Sequence, residues 1–314
     1  MRRSFWVVAA FLLILCRVGF AENEPDFRLL DPAGDDYGPG SYIYPKNHAF
    51  EPYHGLFDLR SFTVSSDVKS VRFDLTLADL RNPWSAPEGF SHQLLEVFIA
   101  RGNGFGRTEP FAAGSFVRFA PEHPWDVMLK AAPWDSSELI LLGPDGQPVK
   151  HGLQVGLAGP QTVRATVPVA LLGAPERTWR YYVLVGSYDG FGEDNFRPVM
   201  AKAGEWHFGG GRNDAAEPQV IDILAPERGR FSQEKQLGSY DWTQKKLAVL
   251  QPVGPGYLPG MGGFPWAIVA VLGCMLVIVA WWNWYAPAGW REKILDTLAG
   301  LVRRQRGIGA ESSK

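Results

Sequence analysis

Asp31, Asp35 and Asp36 crowd into one Gly/Pro-rich loop, Asp31-Pro32-Ala33-Gly34-Asp35-Asp36-Tyr37-Gly38-Pro39-Gly40. Carboxylates this close raise one another's pKa unless water or a cation neutralises them. A hard divalent cation such as Ca²⁺ takes several oxygen ligands, backbone carbonyls included, and suits a loop that glycine and proline can fold around it. The spacing is not that of an EF-hand, which requires a fixed glycine and a terminal glutamate. Two readings stand at this point, a solvated acidic turn and a Ca²⁺ site. A second acidic loop, Tyr188-Asp189-Gly190-Phe191-Gly192-Glu193-Asp194-Asn195, reads by itself as a polar turn.

Aromatic residues are the other candidates for chemistry. Tyr42, Tyr44, Tyr53, Trp84, Trp125, Trp134, Tyr188 and Trp206 are spread between the two chain ends. An aromatic face can stack on the apolar face of a sugar ring while Asp, Asn, Gln or Arg takes the hydroxyls. Trp84 lies in Arg81-Asn82-Pro83-Trp84-Ser85, a loop composition that favours exposure. Trp125 and Trp179 open strand-like runs, so core packing is expected of them. Catalytic signatures are missing: there is no nucleophile elbow, no H-E-x-x-H helix and no P-loop. Two carboxylates able to hydrolyse a glycoside would leave no such signature, which keeps a hydrolase as the last of the readings.

These residues need a scaffold, and the pattern around them is that of strands. Val71, Phe73, Leu75 and Leu77 alternate with polar neighbours, as do Val163, Ala165, Val167 and Val169. Phe62 to Val64, Leu94 to Ala100, Leu139 to Leu142 and Trp179 to Ser187 are rich in β-branched, aromatic and leucine side chains. Gly143-Pro144-Asp145-Gly146 reads as a turn. No amphipathic helix is evident before residue 250. The expected fold class is all-β: an antiparallel, jelly-roll-like β-sandwich, followed by one C-terminal transmembrane helix.

The ends set the expected topology. Arg2 and Arg3, the apolar run Phe5 to Cys16 and the small residues near Ala21 read as a signal peptide over 1–21. Phe264 to Tyr285 carries no charge and satisfies the roughly 20 residues a bilayer core requires. Trp281, Trp282, Trp284 and Tyr285 suit the membrane interface. Arg291, Lys293, Arg303, Arg304 and Arg306 then predict a cytoplasmic C-terminus. The expected domains are a β-sandwich over 22–250, a Pro/Gly linker over 251–263, the span over 264–285 and a basic tail over 286–314. The expected location is the cell membrane, single-pass, with the N-terminal domain outside the cytoplasm. The formal net charge of −2 gives no case for nucleic acid. The only cysteines, Cys16 and Cys274, fall in the two apolar segments, so the domain between them uses no disulfide, cysteine nucleophile or c-type haem.

Several separated motifs in order resemble the C-terminal binding module of glucodextranase and of some amylopullulanases. They are Asp31 to Pro45, Gly55-Leu56-Phe57-Asp58-Leu59, Phe62-Thr63-Val64, Asn82-Pro83-Trp84, Gly190 to Arg197, Trp206 to Gly211, Pro218 to Asp222 and Gln233 to Tyr240. The resemblance implies a sandwich related to family 9 carbohydrate-binding modules and to DOMON domains. It implies non-catalytic binding of an α-glucan or cell-wall glycan, with Trp84, Tyr42, Tyr44 and Trp206 as the sugar-contacting residues and Ca²⁺ at Asp31, Asp35 and Asp36. Such modules usually trail a glycosidase, and this chain carries none. The expected role is therefore to hold a glycan at the surface for a partner hydrolase, transporter or other envelope protein. Two alternatives come from other classes. One is a DOMON-type haem-b electron carrier, for which Met128, Met200 and His207 are ligands of the right kind. The other is an envelope assembly protein that binds another protein.

Overall fold

A computed structural model describes residues 24–50 and 53–259. The expected signal segment, span and basic tail lie outside the described residues. Among the described residues no helix is long and apolar enough to cross a membrane. Backbone contacts divide the chain after Gly262, and the first of the two units is the one described below.

Strand chemistry dominates that unit. The first sheet contains β1 (Phe27–Leu30), β2 (Leu59–Ser66), β3 (Ser70–Leu77), β9 (Gln154–Gly159) and β10 (Thr162–Pro168), in the order β1-β2-β3-β10-β9. The second contains β4 (Gln93–Ala100), β6 (Val127–Ala131), β7 (Glu138–Leu142), β8 (Pro148–Gly152), β11 (Arg180–Ser187) and β12 (Val220–Ile223), in the order β12-β11-β4-β6-β7-β8. All pairings in both sheets are antiparallel. A third, two-stranded sheet pairs β5 (Val117–Phe119) with β13 (Ala248–Leu250) in parallel. The helices are single turns, α1 (Val169–Leu172) and α2 (Gln233–Leu237), with a 3₁₀ turn at Glu193–Asn195.

The two large sheets pack face to face. β3 alternates strictly between half-buried and buried positions, so Val71, Phe73, Leu75 and Leu77 point inward. They meet Leu95, Val97 and Ile99 of β4 and Tyr181, Val183 and Val185 of β11 in one core. Each large side chain here contributes about 2 kcal/mol by leaving water. β4 is buried at every position, which alternation alone does not explain. The reason is a second core on its other face, where Leu94, Phe98, Met128, Tyr182 and Leu184 pack against Phe119, Leu250 and Leu237. The six-stranded sheet is thus the middle of three layers, and the outermost is made of β5, β13 and α2.

Strands expected at Phe62–Val64, Val71–Leu77, Leu94–Ala100 and Leu139–Leu142 are present, and Gly143 to Gly146 turns between β7 and β8; of those expected over Val163–Val169 and Trp179–Ser187, the first ends at Pro168, with Val169 opening α1, and the second begins at Arg180. The expected linker begins later than its composition suggests. Val253 is fully buried and pairs with Tyr181, and Gly254 to Tyr257 closes a turn beneath Arg180. Pro252 and Val253 close the edge of the sandwich, so 251–258 belongs to the folded unit.

Candidate functional site: an aromatic cleft and a buried carboxylate cluster

Asp31 leaves the end of β1, Asp58 precedes β2 and Asp222 sits inside β12. The sheet order brings β1 and β2 together, and the loop after β1 crosses to β12, where Gly38 N–H donates to Ile221 O. Carboxylate oxygens of Asp31, Asp35 and Asp222 consequently lie within 4.8 Å of one another. Each acid has one oxygen anchored or one neighbour that fixes it. Asp31 Oδ1 accepts from Ala225 N–H at 3.0 Å, and Asp222 Oδ2 from Leu59 N–H at 2.7 Å. Asp58 Oδ2 accepts from Gly34 N–H at 2.9 Å and pairs with Arg60 at 2.7 Å. Gln233 of α2 donates to Asp35 O and accepts from Ile223 N–H. Asp31 Oδ2, Asp35 Oδ1, Asp58 Oδ1 and Asp222 Oδ1 have no partner among the described residues.

Burial raises all four pKa values, well above the ordinary carboxylate range for Asp31 and Asp222 and to about 6 for Asp35 and Asp58. Repulsion from neighbouring carboxylates adds to each shift, from within the group for Asp31, Asp35 and Asp222 and from Asp36 for Asp58, and Arg60 offsets part of it for Asp31, Asp35 and Asp58. The three converging carboxylates of Asp31, Asp35 and Asp222, with Asp58 and its partner Arg60 nearby, form a donor set of the hard-oxygen kind that Ca²⁺ prefers. Asp36 stands outside the group: its carboxylate takes the Tyr44 hydroxyl. Asp222 completes the triad instead, because consecutive side chains leave the loop in different directions and only Asp35 turns inward.

The aromatic residues form a separate feature. A cleft of about 680 Å³ is lined by Trp84, Ser91, Trp134, Tyr188, Asp189, Gly190, Phe191, Arg197 and Trp206. Trp84 and Trp206 form one wall, their rings 6.3 Å apart and tilted by 45°. Trp134 and Tyr188, 5.4 Å apart, form the other. Phe191 is fully exposed at the rim. Beneath the first wall lie Phe50 and His92.

Each wall is held by short-range polar chemistry. The Asn82 side chain brackets Ala86 with two 2.8 Å hydrogen bonds and so closes the turn that presents Trp84. Trp134 and Asp135 both have positive φ, a conformation costly for residues with a Cβ. Glu88 compensates by accepting both of their backbone N–H groups, at 2.9 and 2.8 Å. Arg197 ties the base together: it donates to Ser187 Oγ, Asp189 Oδ2, Trp206 O and Tyr188 O. Its guanidinium sits 5.1 Å from the Phe50 ring centroid. The Ser91 hydroxyl is buried at the cleft without a partner among the described residues. Aromatic walls over a small set of fixed polar groups accept a ligand with an apolar face and a hydroxylated rim.

Of the sequence candidates, Trp84 and Trp206 line this cleft and Tyr42 and Tyr44 do not. Tyr42 is buried and its hydroxyl donates to Pro218 O at 2.6 Å. Tyr44 packs against Phe57 and Phe208. Both tyrosines lie in a loop that folds back over the sandwich core, which a Gly/Pro-rich sequence does not reveal. Trp134 and Tyr188, aromatic candidates not assigned a sugar contact from the sequence, also line the cleft, as do Ser91, Asp189, Phe191 and Arg197; a tryptophan beside Pro133 was a signal as good as Trp84 beside Pro83. The two acidic loops serve different ends, since Asp189 pairs with Arg197 and Asp194 with Lys130. Met128 is buried in the outer core, Met200 is partly exposed, and the His207 ring lies against Gly204.

Residues 27–252 match the family described as the C-terminal binding module, SLH-like, of glucodextranase. The match covers most of the chain, and the chain belongs to this family. No curated protein sequence matches it. Among solved structures, a family 9 carbohydrate-binding module from Caldicellulosiruptor kristjanssonii in complex with glucose is similar at 9% identity and a TM-score of 0.21, covering 63% of this chain and 78% of that one. The same type of module from that organism in complex with cellotriose is similar at 11% identity and a TM-score of 0.20, covering 60% and 92%.

Proposed function

We propose that this protein is a non-catalytic glycan-binding module that takes an α-glucan or cell-wall glycan in the cleft between Trp84/Trp206 and Trp134/Tyr188. The observation that carries the reading is the cleft itself: four aromatic side chains in two walls, with Asp189, Ser91 and Arg197 at its base. Membership of a family of binding modules supports it. Sugar rings stack on the indoles, and the fixed polar groups select hydroxyl positions. Ca²⁺ bound by Asp31, Asp35 and Asp222 is a structural ion in this reading; it neutralises the buried acids and ties the loop after β1 to β12. The chain is tethered to the cell membrane by Phe264 to Tyr285, with the module outside and the basic tail in the cytoplasm. There it holds glycan for a partner hydrolase or transporter.

Calorimetric titration of the full chain with soluble α-glucan and β-glucan oligosaccharides tests the binding, and Trp84→Ala is expected to weaken it. Absence of binding to every glycan would remove the reading.

A further inference from the structure

We infer that the chain has a second saccharide subsite, around Arg212, Tyr240 and Trp242, which engages the same glycan as the aromatic cleft and makes the protein a reader of extended chains. The inference rests on the glycan reading of the cleft.

The subsite is a hollow of about 640 Å³ whose lining includes Ser41, Gly211, Arg212, Glu217, Tyr240 and Trp242. Trp242 is 50% exposed, and the Arg212 guanidinium stands 5.9 Å from its ring centroid. An arginine held over an exposed indole offers an apolar face and several donors together. Glu217, only 1% exposed, supplies the fixed polar floor. It accepts the Arg212 backbone N–H at 2.6 Å and the Tyr240 hydroxyl at 3.2 Å. Gly211 is required at this floor, since a Cβ there would come within 2.7 Å of the Glu217 carboxylate. Arg212 forms no ion pair among the described residues. At the hollow its guanidinium stands beside the Tyr240 hydroxyl and has no carboxylate partner among the described residues.

Position links this hollow to the cleft. One loop carries Trp206 to the first site and Arg212 to the second. At the maximal reach of an extended chain their Cα atoms are no more than about 22 Å apart, a span of a few sugar rings. A third hollow, of about 440 Å³, shares Phe191 with the cleft and has Asn213, the chain neighbour of Arg212, in its lining. Phe116 and Met200 give it an apolar surface. A linear glycan that fills the cleft and crosses Phe191 reaches Trp242, and the second contact is then intramolecular.

The test is titration of the full chain with malto-, isomalto- and cello-oligosaccharides of two and seven units, in the wild type and in Trp242→Ala, Arg212→Gln and Trp206→Ala. Melting temperatures serve as a check that each variant is folded. The expected result is that the seven-unit form of one ladder binds at least about tenfold tighter than its two-unit form. Trp242→Ala and Arg212→Gln should each remove most of that gain and leave the two-unit affinity unchanged, whereas Trp206→Ala should weaken both. Equal affinity for short and long forms, or an unchanged length dependence in both subsite variants, overturns this inference and leaves the cleft reading standing. No binding by the wild type in any ladder overturns the two together.

Discussion

The indole of Trp84 packs 4.7 Å from the imidazole of His92, and His92 is fully buried with neither ring nitrogen hydrogen-bonded among the described residues. One wall of the cleft thus rests on an imidazole that has to stay neutral. Burial, helped by the Arg197 charge, lowers the His92 pKa to about 4. In the unfolded chain the same group titrates near 6.5, so its contribution to stability is complete above that pH. It is lost as pH falls from about 6.5 towards 4, by up to about 1.4 kcal/mol per pH unit. Urea denaturation at pH 7, 6 and 5 is expected to show His92→Phe losing less stability on acidification than the wild type. Parallel losses would show that His92 does not titrate on unfolding in this range.

Sugar contact separates the cleft aromatics from the buried tyrosines. Trp84→Ala and Trp206→Ala are each expected to weaken binding of the preferred oligosaccharide by about tenfold or more, as the removal of a central aromatic anchor does. Tyr42→Phe should leave affinity unchanged and cost about 1 kcal/mol of stability, because it removes only the hydroxyl that donates to Pro218. Calorimetric titration beside thermal melting reads both effects.

Metal binding discriminates between neighbouring aspartates. Ca²⁺ is expected to raise the melting temperature of the wild type and chelation to lower it; at a hundred times its Kd, a ligand specific to the native state stabilises by about 2.7 kcal/mol. Asp222→Asn should abolish the response. Asp36→Asn should preserve it, since Asp36 is held by Tyr44 and lies outside the triad. A response that survives Asp222→Asn and disappears with Asp36→Asn would reassign the site.

The rim of the cleft is anchored through the middle layer. Lys130 Nζ reaches Asp194 Oδ1 at 2.5 Å and Asp194 O at 3.0 Å, and Asp194 holds a positive φ in the loop that carries Phe191. Glu96, opposite Lys130 across the β4–β6 ladder, is fully buried, and its pKa is pushed up to about 8 by desolvation. Lys130→Met is expected to destabilise by about 3–5 kcal/mol, because it strands a buried carboxylate. Adding Glu96→Gln should recover little of that loss if Asp194 is the partner that matters. Full recovery in the double variant, measured by urea denaturation, would assign the lysine to Glu96.

Much of the scaffold was legible in the chain, because alternation records which face of a strand is wet. β3 and β10 are solvated on one side and display the pattern plainly. β4 is enclosed on both sides, so its sequence announces a strand but not the third layer that covers it. Trp84 could be placed because Asn82 and Pro83 mark its turn. Tyr42 and Tyr44 could not, because a loop that folds inward has the same composition as one that stays out. Asp222 lies far along the chain from Asp31, within Val220-Ile221-Asp222-Ile223. A lone acid in a buried apolar strand is costly without a partner, and that cost was its one visible signal. Its destination depended on strand order, which no local pattern carries.

The segment after β13 has a mechanical consequence. Val253 pairs with Tyr181 in the second sheet, and β13 lies parallel to β5 in the outer layer. A pull applied at Leu258 would load the Gly254–Tyr257 turn and the Val253–Tyr181 pairing first, where the segment packs on the core between the large sheets, and the short β13–β5 ladder next. The aromatic cleft stands at the other end of β11, around Tyr188, Asp189 and Arg197, with the length of that strand between it and the Val253 pairing. Tension at Leu258 would therefore fall on two short, replaceable pairings before it reached the walls of the aromatic cleft.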